Sequence, residues 1–113
     1  MTTPTIYQDP LYQLLRSEKI SAFNSKKSSL DSSKLTSGDY RGLDLRKMEC
    51  EGLDFSDAYF RGADLRGVDF RNTNLEGASF CEAKISGCYF PKQLSVAEIT
   101  MSVERGTRVR YSD

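Results

Sequence analysis

Histidine and tryptophan are both missing from this 113-residue chain, and only three cysteines and three prolines occur in it. The absence of histidine removes the commonest general acid/base and the commonest metal ligand together. The cysteines, Cys50, Cys81 and Cys88, are odd in number and stand at no metal-like spacing. That pattern predicts reduced thiols and a cytoplasmic location rather than a disulfide framework or a zinc site. No apolar run approaches the roughly 20 residues that a membrane-spanning helix needs. The opening stretch MTTPTIYQDP has neither a basic start nor an apolar segment, so no secretory leader and no membrane association are expected. Sixteen basic and sixteen acidic residues cancel. Direct nucleic-acid binding is therefore not expected, nor is strong imitation of nucleic acid. With no phosphate-cradling glycine loop and no cluster of metal-ligating side chains, the reading is of a non-enzyme with no cofactor. The length fits one small domain that needs a dense core.

What the chain does contain is a period of five. From Leu30 to Phe90 every fifth residue is uncharged, through Leu35, Tyr40, Leu45, Cys50, Phe55, Phe60, Leu65, Phe70, Leu75, Phe80 and Ile85. Two residues before each of these thirteen centres lies a small or apolar residue, from Ser28 and Ser33 through Ala58, Ala63 and Val68 to Cys88. The other three positions of each unit hold nearly all the charge and most of the glycine. A helix repeats its face about every 3.6 residues and a strand every 2, so neither keeps a five-residue stripe on one side. A chain that turns a corner every five residues does. Each unit then sends two side chains inward and three outward, and four units close a coil of about twenty residues.

Successive coils stack at the strand spacing of about 4.8 Å, which brings residues twenty apart into columns. The four columns are Tyr40–Phe60–Phe80, Leu45–Leu65–Ile85, Cys50–Phe70–Phe90 and Leu35–Phe55–Leu75. They define a Phe60 side, a Leu65 side, a Phe70 side and a Phe55 side. Like stacks on like, and glycines such as Gly62, Gly67 and Gly77 fall at the corners.

Quintets such as Ala63-Asp64-Leu65-Arg66-Gly67 and Thr73-Asn74-Leu75-Glu76-Gly77 resemble the A(D/N)LXX consensus of the pentapeptide-repeat family. The resemblance implies an all-β solenoid, a right-handed quadrilateral β-helix of about three coils over residues 28–92. It is strong from Gly38 to Phe90 and weak in the serine-rich units before that. Residues 1–27 are expected to form an N-terminal helical cap and residues 93–113 a C-terminal helix and tail. In this layout the chain is similar to a group of short bacterial members of the family.

So short a stack needs caps at both ends. Asp9-Pro10 is a helix start, with Asp as N-cap and Pro in the first turn. Two short helices are expected, over 10–16 and 18–26, with Leu11, Leu14 and Leu15 on one face, Ser17 capping the second, and Ile20 and Phe23 anchoring it. Residues 28–37 read as a loop or an irregular first coil. At the far end Ser95 and Glu98 form a capping box, and Leu94 with Ile99 fit a hydrophobic staple. The helix they start should stop at Gly106, after which Thr107–Tyr111 alternates like a short strand. That strand would lie against its own coil or against a second copy. Ile99, Val103, Val109 and Tyr111 are thus the candidate cap or dimer residues.

The candidate partner surface is Arg41, Arg46, Arg61, Arg66 and Arg71, with Tyr59 and Tyr89 outward beside them. Asp39, Asp44 and Asp64 interleave with these arginines, so a solvated, mutually neutralised wall is the plainer expectation. Asp54 and Asp57 read as structural carboxylates, and Cys81, the one cysteine placed outside, as an inert surface thiol. The functional expectation is a non-catalytic interaction or scaffold module. It would bind an unidentified protein partner or itself, as a homodimer through the C-terminal tail. The alternative, which the resemblance to the pentapeptide-repeat family implies, is a DNA-mimicking modulator of a type II topoisomerase such as gyrase. Duplex DNA carries one charge per about 1.7 Å, so a stack of roughly 16 Å would need on the order of nine net negative charges. Residues 43–92 hold nine acids and seven bases, a net of −2.

Overall fold

The computed structural model describes residues 9–112; the first eight residues of the expected N-terminal cap, and Asp113, lie outside the described residues. From Tyr40 to Ile85 the chain turns at every fifth residue. The carbonyl of each central residue accepts the N–H three residues on, from Leu43→Tyr40 to Cys88→Ile85, at 2.9–3.4 Å. In nine of these ten turns the third residue has positive φ, the mark of a type II turn. Glycine fills six of those nine places, and Lys47, Asp57 and Glu82 adopt the same conformation despite their side chains.

Consecutive layers meet twenty residues apart. Parallel bridges join Asp39 to Tyr59 and Tyr59 to Ser79, Asp44 to Asp64 and Asp64 to Lys84, Asp54 to Asn74, and Asp69 to Tyr89. Around each bridge a central N–H donates upward, as Phe60 does to the Ser79 carbonyl at 2.8 Å. The residue before the next centre donates downward, as Ser79 does to Ala58 at 2.9 Å. Each bridge stays isolated, and among the described residues no strand or sheet forms. The all-β expectation is therefore met only as single-residue bridges at a twenty-residue interval. The corners explain this, because a turn every five residues leaves no room for a longer ladder.

The core runs up the middle. Tyr40, Phe60 and Phe80 stack with ring centroids 5.3 Å apart at both steps, and Phe70 stacks under Phe90 at 5.8 Å. Phe55 packs beside Phe60 at 5.9 Å. Two corrections concern its lower end. Leu30, counted as the first centre, is 37% exposed, and Ser28 and Ser33 also face solvent. The segment Ser33–Leu35 is a single 3-10 turn, and only Leu35 of these units enters the core. Serine offers too little apolar surface to hold a layer in place.

Helix α1 covers Pro10–Arg16, with the Asp9 carboxylate accepting the Tyr12 N–H, and buries Leu11, Tyr12 and Leu15. Helix α2 covers Ile20–Lys26 rather than starting at 18. Ser17 closes α1 instead of capping α2, and Lys19 precedes α2 without a side-chain cap. Glu18, between the helices, adopts positive φ. Phe23 is buried and Ile20 half-buried.

Helix α3 covers Val96–Arg105, with Ser95 as N-cap, and ends at left-handed Gly106. The capping box forms by half. Ser95 Oγ accepts the Glu98 N–H, while the Glu98 carboxylate turns to the backbone and guanidinium of Arg110. After Gly106 the tail lies antiparallel on its own coil, with Arg108 bridged to Ser79.

Candidate interaction surface

The outward Asp-x-Arg triplets follow one local rule. The Asp carboxylate accepts the backbone N–H of the arginine two residues on and then grips its guanidinium. Asp39–Arg41, Asp44–Arg46, Asp64–Arg66 and Asp69–Arg71 all do this, with Nε and Nη2 contacts of 2.7–3.0 Å. Two parallel charge-assisted bonds fix each guanidinium in the plane of its carboxylate. Asp54 and Asn74 occupy the same slot and close their corners onto the N–H groups of Ser56 and Glu76. The repeated D-x-R spacing was visible in the sequence, and it is the signal that would have predicted these forks.

Four of the five candidate arginines are thereby committed. Arg46 also reaches Asp64 at 3.5 Å, so two arginines share that carboxylate. The Arg66 fork, aided by the charge of Arg46, holds Asp64 down at about 2. The same kind of fork lowers Asp39, Asp44 and Asp69. Asp39 is itself buried, and Arg16 of α1 joins it at 3.3 Å. Arg61 is the exception. Tyr59 stands where its Asp would be, and its ion pair is a long one to Glu82 at 3.5 Å.

The two tyrosines differ. Tyr89 is 56% exposed, with the Arg71 guanidinium 4.3 Å above its ring. Tyr59, expected outward, is half-buried. Arg108 of the tail covers its ring at 5.0 Å and donates to its hydroxyl. Arg108 also donates to the Gly77 carbonyl, and it sits 3.6 Å from Asp57. Cys81 is half-buried rather than the one external thiol, and Cys88 is half-buried too. Burial pushes the Cys50 thiol up to about 11 and raises Cys88 as well.

The candidate dimer residues face inward to their own coil. Ile99 and Val109 are buried, and Val103 and Tyr111 are partly buried against the core. The Tyr111 hydroxyl accepts the Leu75 N–H and donates to the Thr73 carbonyl. Val109 exchanges backbone bonds with Gly77 and Ala78, and Ser102 Oγ accepts from Phe80. The lower rim is closed in the same way. Tyr12 pairs with the Asp39 backbone, Glu18 accepts from Asp44, and the Asn24 amide spans the Lys47 carbonyl and the Glu49 N–H. These side chains take the places that a further layer would fill.

On the Phe70 side the first two layers part. No bridge joins Glu49 to Asp69, and Gly52 bonds to the Asn72 carbonyl, one residue beyond the usual offset. Asn72 is also the corner without positive φ. A cleft of about 380 Å³ opens there, with Lys27, Lys47, Glu49, Glu51 and Asp69 on its walls. Among the described residues no three acids or cysteines gather as a metal site would require. Among them also, no helix is long and apolar enough to cross a membrane.

Comparison with protein families matches residues 54–90 to the model for pentapeptide repeats, in eight copies. Neither the curated proteins nor the solved structures contain a match.

Proposed function

We propose that this chain, whose residues 54–90 match the pentapeptide-repeat family, is a non-catalytic module that binds another protein through its walls and upper rim. The observation that carries this reading is the set of Asp–Arg forks. They hold charged side chains in a fixed, repeating pattern on the outside while the core stays sealed. A preorganised surface loses little side-chain freedom on association. Carboxylates locked to arginines make poor proton carriers near neutral pH, which favours binding over catalysis.

We take the winding to be the right-handed quadrilateral β-helix that the family normally forms. The twenty-residue bridges and the five-residue turns support it. The tail is read as a cap rather than a dimer contact, since Ile99 and Val109 are already buried. Three free thiols support a reducing, cytoplasmic setting. No feature of the charge favours imitation of DNA, because the outward acids of the forks are neutralised beside arginines.

The test is cross-linking of the purified protein in a lysate of its source, followed by identification of the adducts. The wild type should capture a protein that a Tyr89→Ala, Arg61→Glu double variant, equally folded by circular dichroism, captures at least about tenfold less. Equal capture by both, or none by either, contradicts the reading.

A further inference from the structure

The rims of the coil are closed unequally. Below, α1, α2 and the segment between them satisfy the backbone of Asp39, Asp44 and Glu49. Above, α3 and the tail satisfy Leu75, Gly77, Ala78, Phe80 and Glu82. These contacts fix the course of the cap. It leaves the coil after Phe90, crosses to the corner at Glu82 and returns along the Phe60 and Phe55 sides. The upper rims of the Leu65 and Phe70 sides are left over. There the carbonyls of Ala83 and Cys88, and the N–H groups of Ile85, Gly87 and Phe90, make no hydrogen bond within the described chain.

In lower layers the equivalent groups make the bridges. Ala63 and Leu65 hold Lys84 between them, and Val68 and Phe70 hold Tyr89. Ala83 with Ile85, and Cys88 with Phe90, repeat those two dyads without a hydrogen-bonded partner above them among the described residues. The inward side chains beside them, Ile85, Cys88 and Phe90, are only partly buried. Such an edge pairs readily with an extended chain.

Charge selects the occupant. Residues 83–97 include Lys84 and Lys92 and no acid, and among the described residues neither lysine has an ion pair. Lys84 stands at the top of a column whose lower members are Asp44 and Asp64. A segment laid on the Ala83–Ile85 side places one outward side chain over Lys84, flanked by inward ones over Ala83 and Ile85, before the corner at Gly87 ends the register. A second copy offering the same edge would set lysine against lysine. We propose that the Ala83–Ile85 edge binds an extended peptide of a protein partner in which acidic and apolar residues alternate. This rests on the module reading above and names one site and one partner chemistry for it.

The probe is the peptide acetyl-EVEVEV-amide, titrated into the full-length ¹⁵N-labelled protein and followed by amide shifts and hydrogen exchange. The amides of Ile85 and Gly87 should shift, and Ile85 should exchange at least about tenfold more slowly when bound. Acetyl-KVKVKV-amide, and EVEVEV methylated on its glutamate nitrogens, which would face the Ala83 carbonyl, should each bind about tenfold more weakly or not at all. Lys84→Glu with Lys92→Glu should reverse the preference between the two charged peptides. No response of these amides at millimolar EVEVEV overturns the proposal, as does binding that survives N-methylation. Protection of Ile85 by dimer formation alone would assign the edge to a second copy and also overturn it. If the double lysine variant still captures the wild type's cross-linked partner while EVEVEV fails to bind, the edge falls and the module reading stands.

Discussion

Replacing Phe60 with alanine removes the middle ring of the longest stack. Phe60 is fully buried and lies 5.3 Å from both Tyr40 and Phe80, with Phe55 at 5.9 Å and Phe70 at 6.3 Å. Core Phe→Ala substitutions cost about 3–5 kcal/mol, more when the site cannot collapse. Here the layers above and below are held apart by backbone bridges 39–59 and 59–79, so little collapse is available. A loss of about 4 kcal/mol is expected, a large part of the 5–15 kcal/mol typical of a domain. Urea unfolding followed by far-ultraviolet circular dichroism reads it directly. With a slope of about 2 kcal/mol/M, the midpoint should fall by about 2 M. Phe90→Ala is the internal control, since Phe90 ends its stack half-buried and should cost less than half as much. A Phe60→Ala loss below about 1 kcal/mol, or a Phe90→Ala loss equal to it, would refute the reasoning.

Three further perturbations follow from particular contacts. Asp64 titrates at about 2 in the fold, below its unfolded value of about 3.9. The folded state therefore binds fewer protons between these values, and the stability Asp64 contributes is present above about pH 4 and lost as pH falls toward 2. Asp64→Asn should flatten the fall of Tm across that window, and an unchanged slope would count against the shared fork. Asn24→Ala strips the rim amide from the Lys47 carbonyl and the Glu49 N–H. It should cost about 1–2 kcal/mol in urea unfolding and speed exchange of the Glu49 amide; an unaltered Glu49 amide would contradict the capping role. Cys50, pushed up to about 11 by burial, should resist iodoacetamide at pH 8 in the native protein and react once urea unfolds it. Native-state labelling of Cys50, read by mass spectrometry, would contradict that burial.

The inward columns and the corners were legible because both are local. A five-residue period states directly which side chains go in, and glycine at the third turn position marks positive φ. The start and stop of α3 at Ser95 and Gly106 are local signals too. What the sequence did not disclose depends on distant partners. Asn24 meets Lys47, and Tyr111 meets Thr73, across 23 and 38 residues. Arg108 reaches Tyr59 across 49 residues, which turns an expected outward tyrosine into part of the cap. Ser17 looked like an N-cap, but its backbone N–H closes α1 through Gln13 and Leu15. The period also ran too far. Leu30 keeps phase with the centres, yet no layer of apolar neighbours exists there to bury it.

Native-state hydrogen exchange of the free protein tests the central claim, a stacked winding with one upper edge left open, in a single measurement. The amides of Phe55, Phe60, Leu65 and Phe70, each bonded to the next layer, should exchange only through global unfolding. Those of Ile85, Gly87 and Phe90, without an acceptor among the described residues, should exchange orders of magnitude faster. Equal protection of the two sets in the monomer, or fast exchange of the first, would contradict the account.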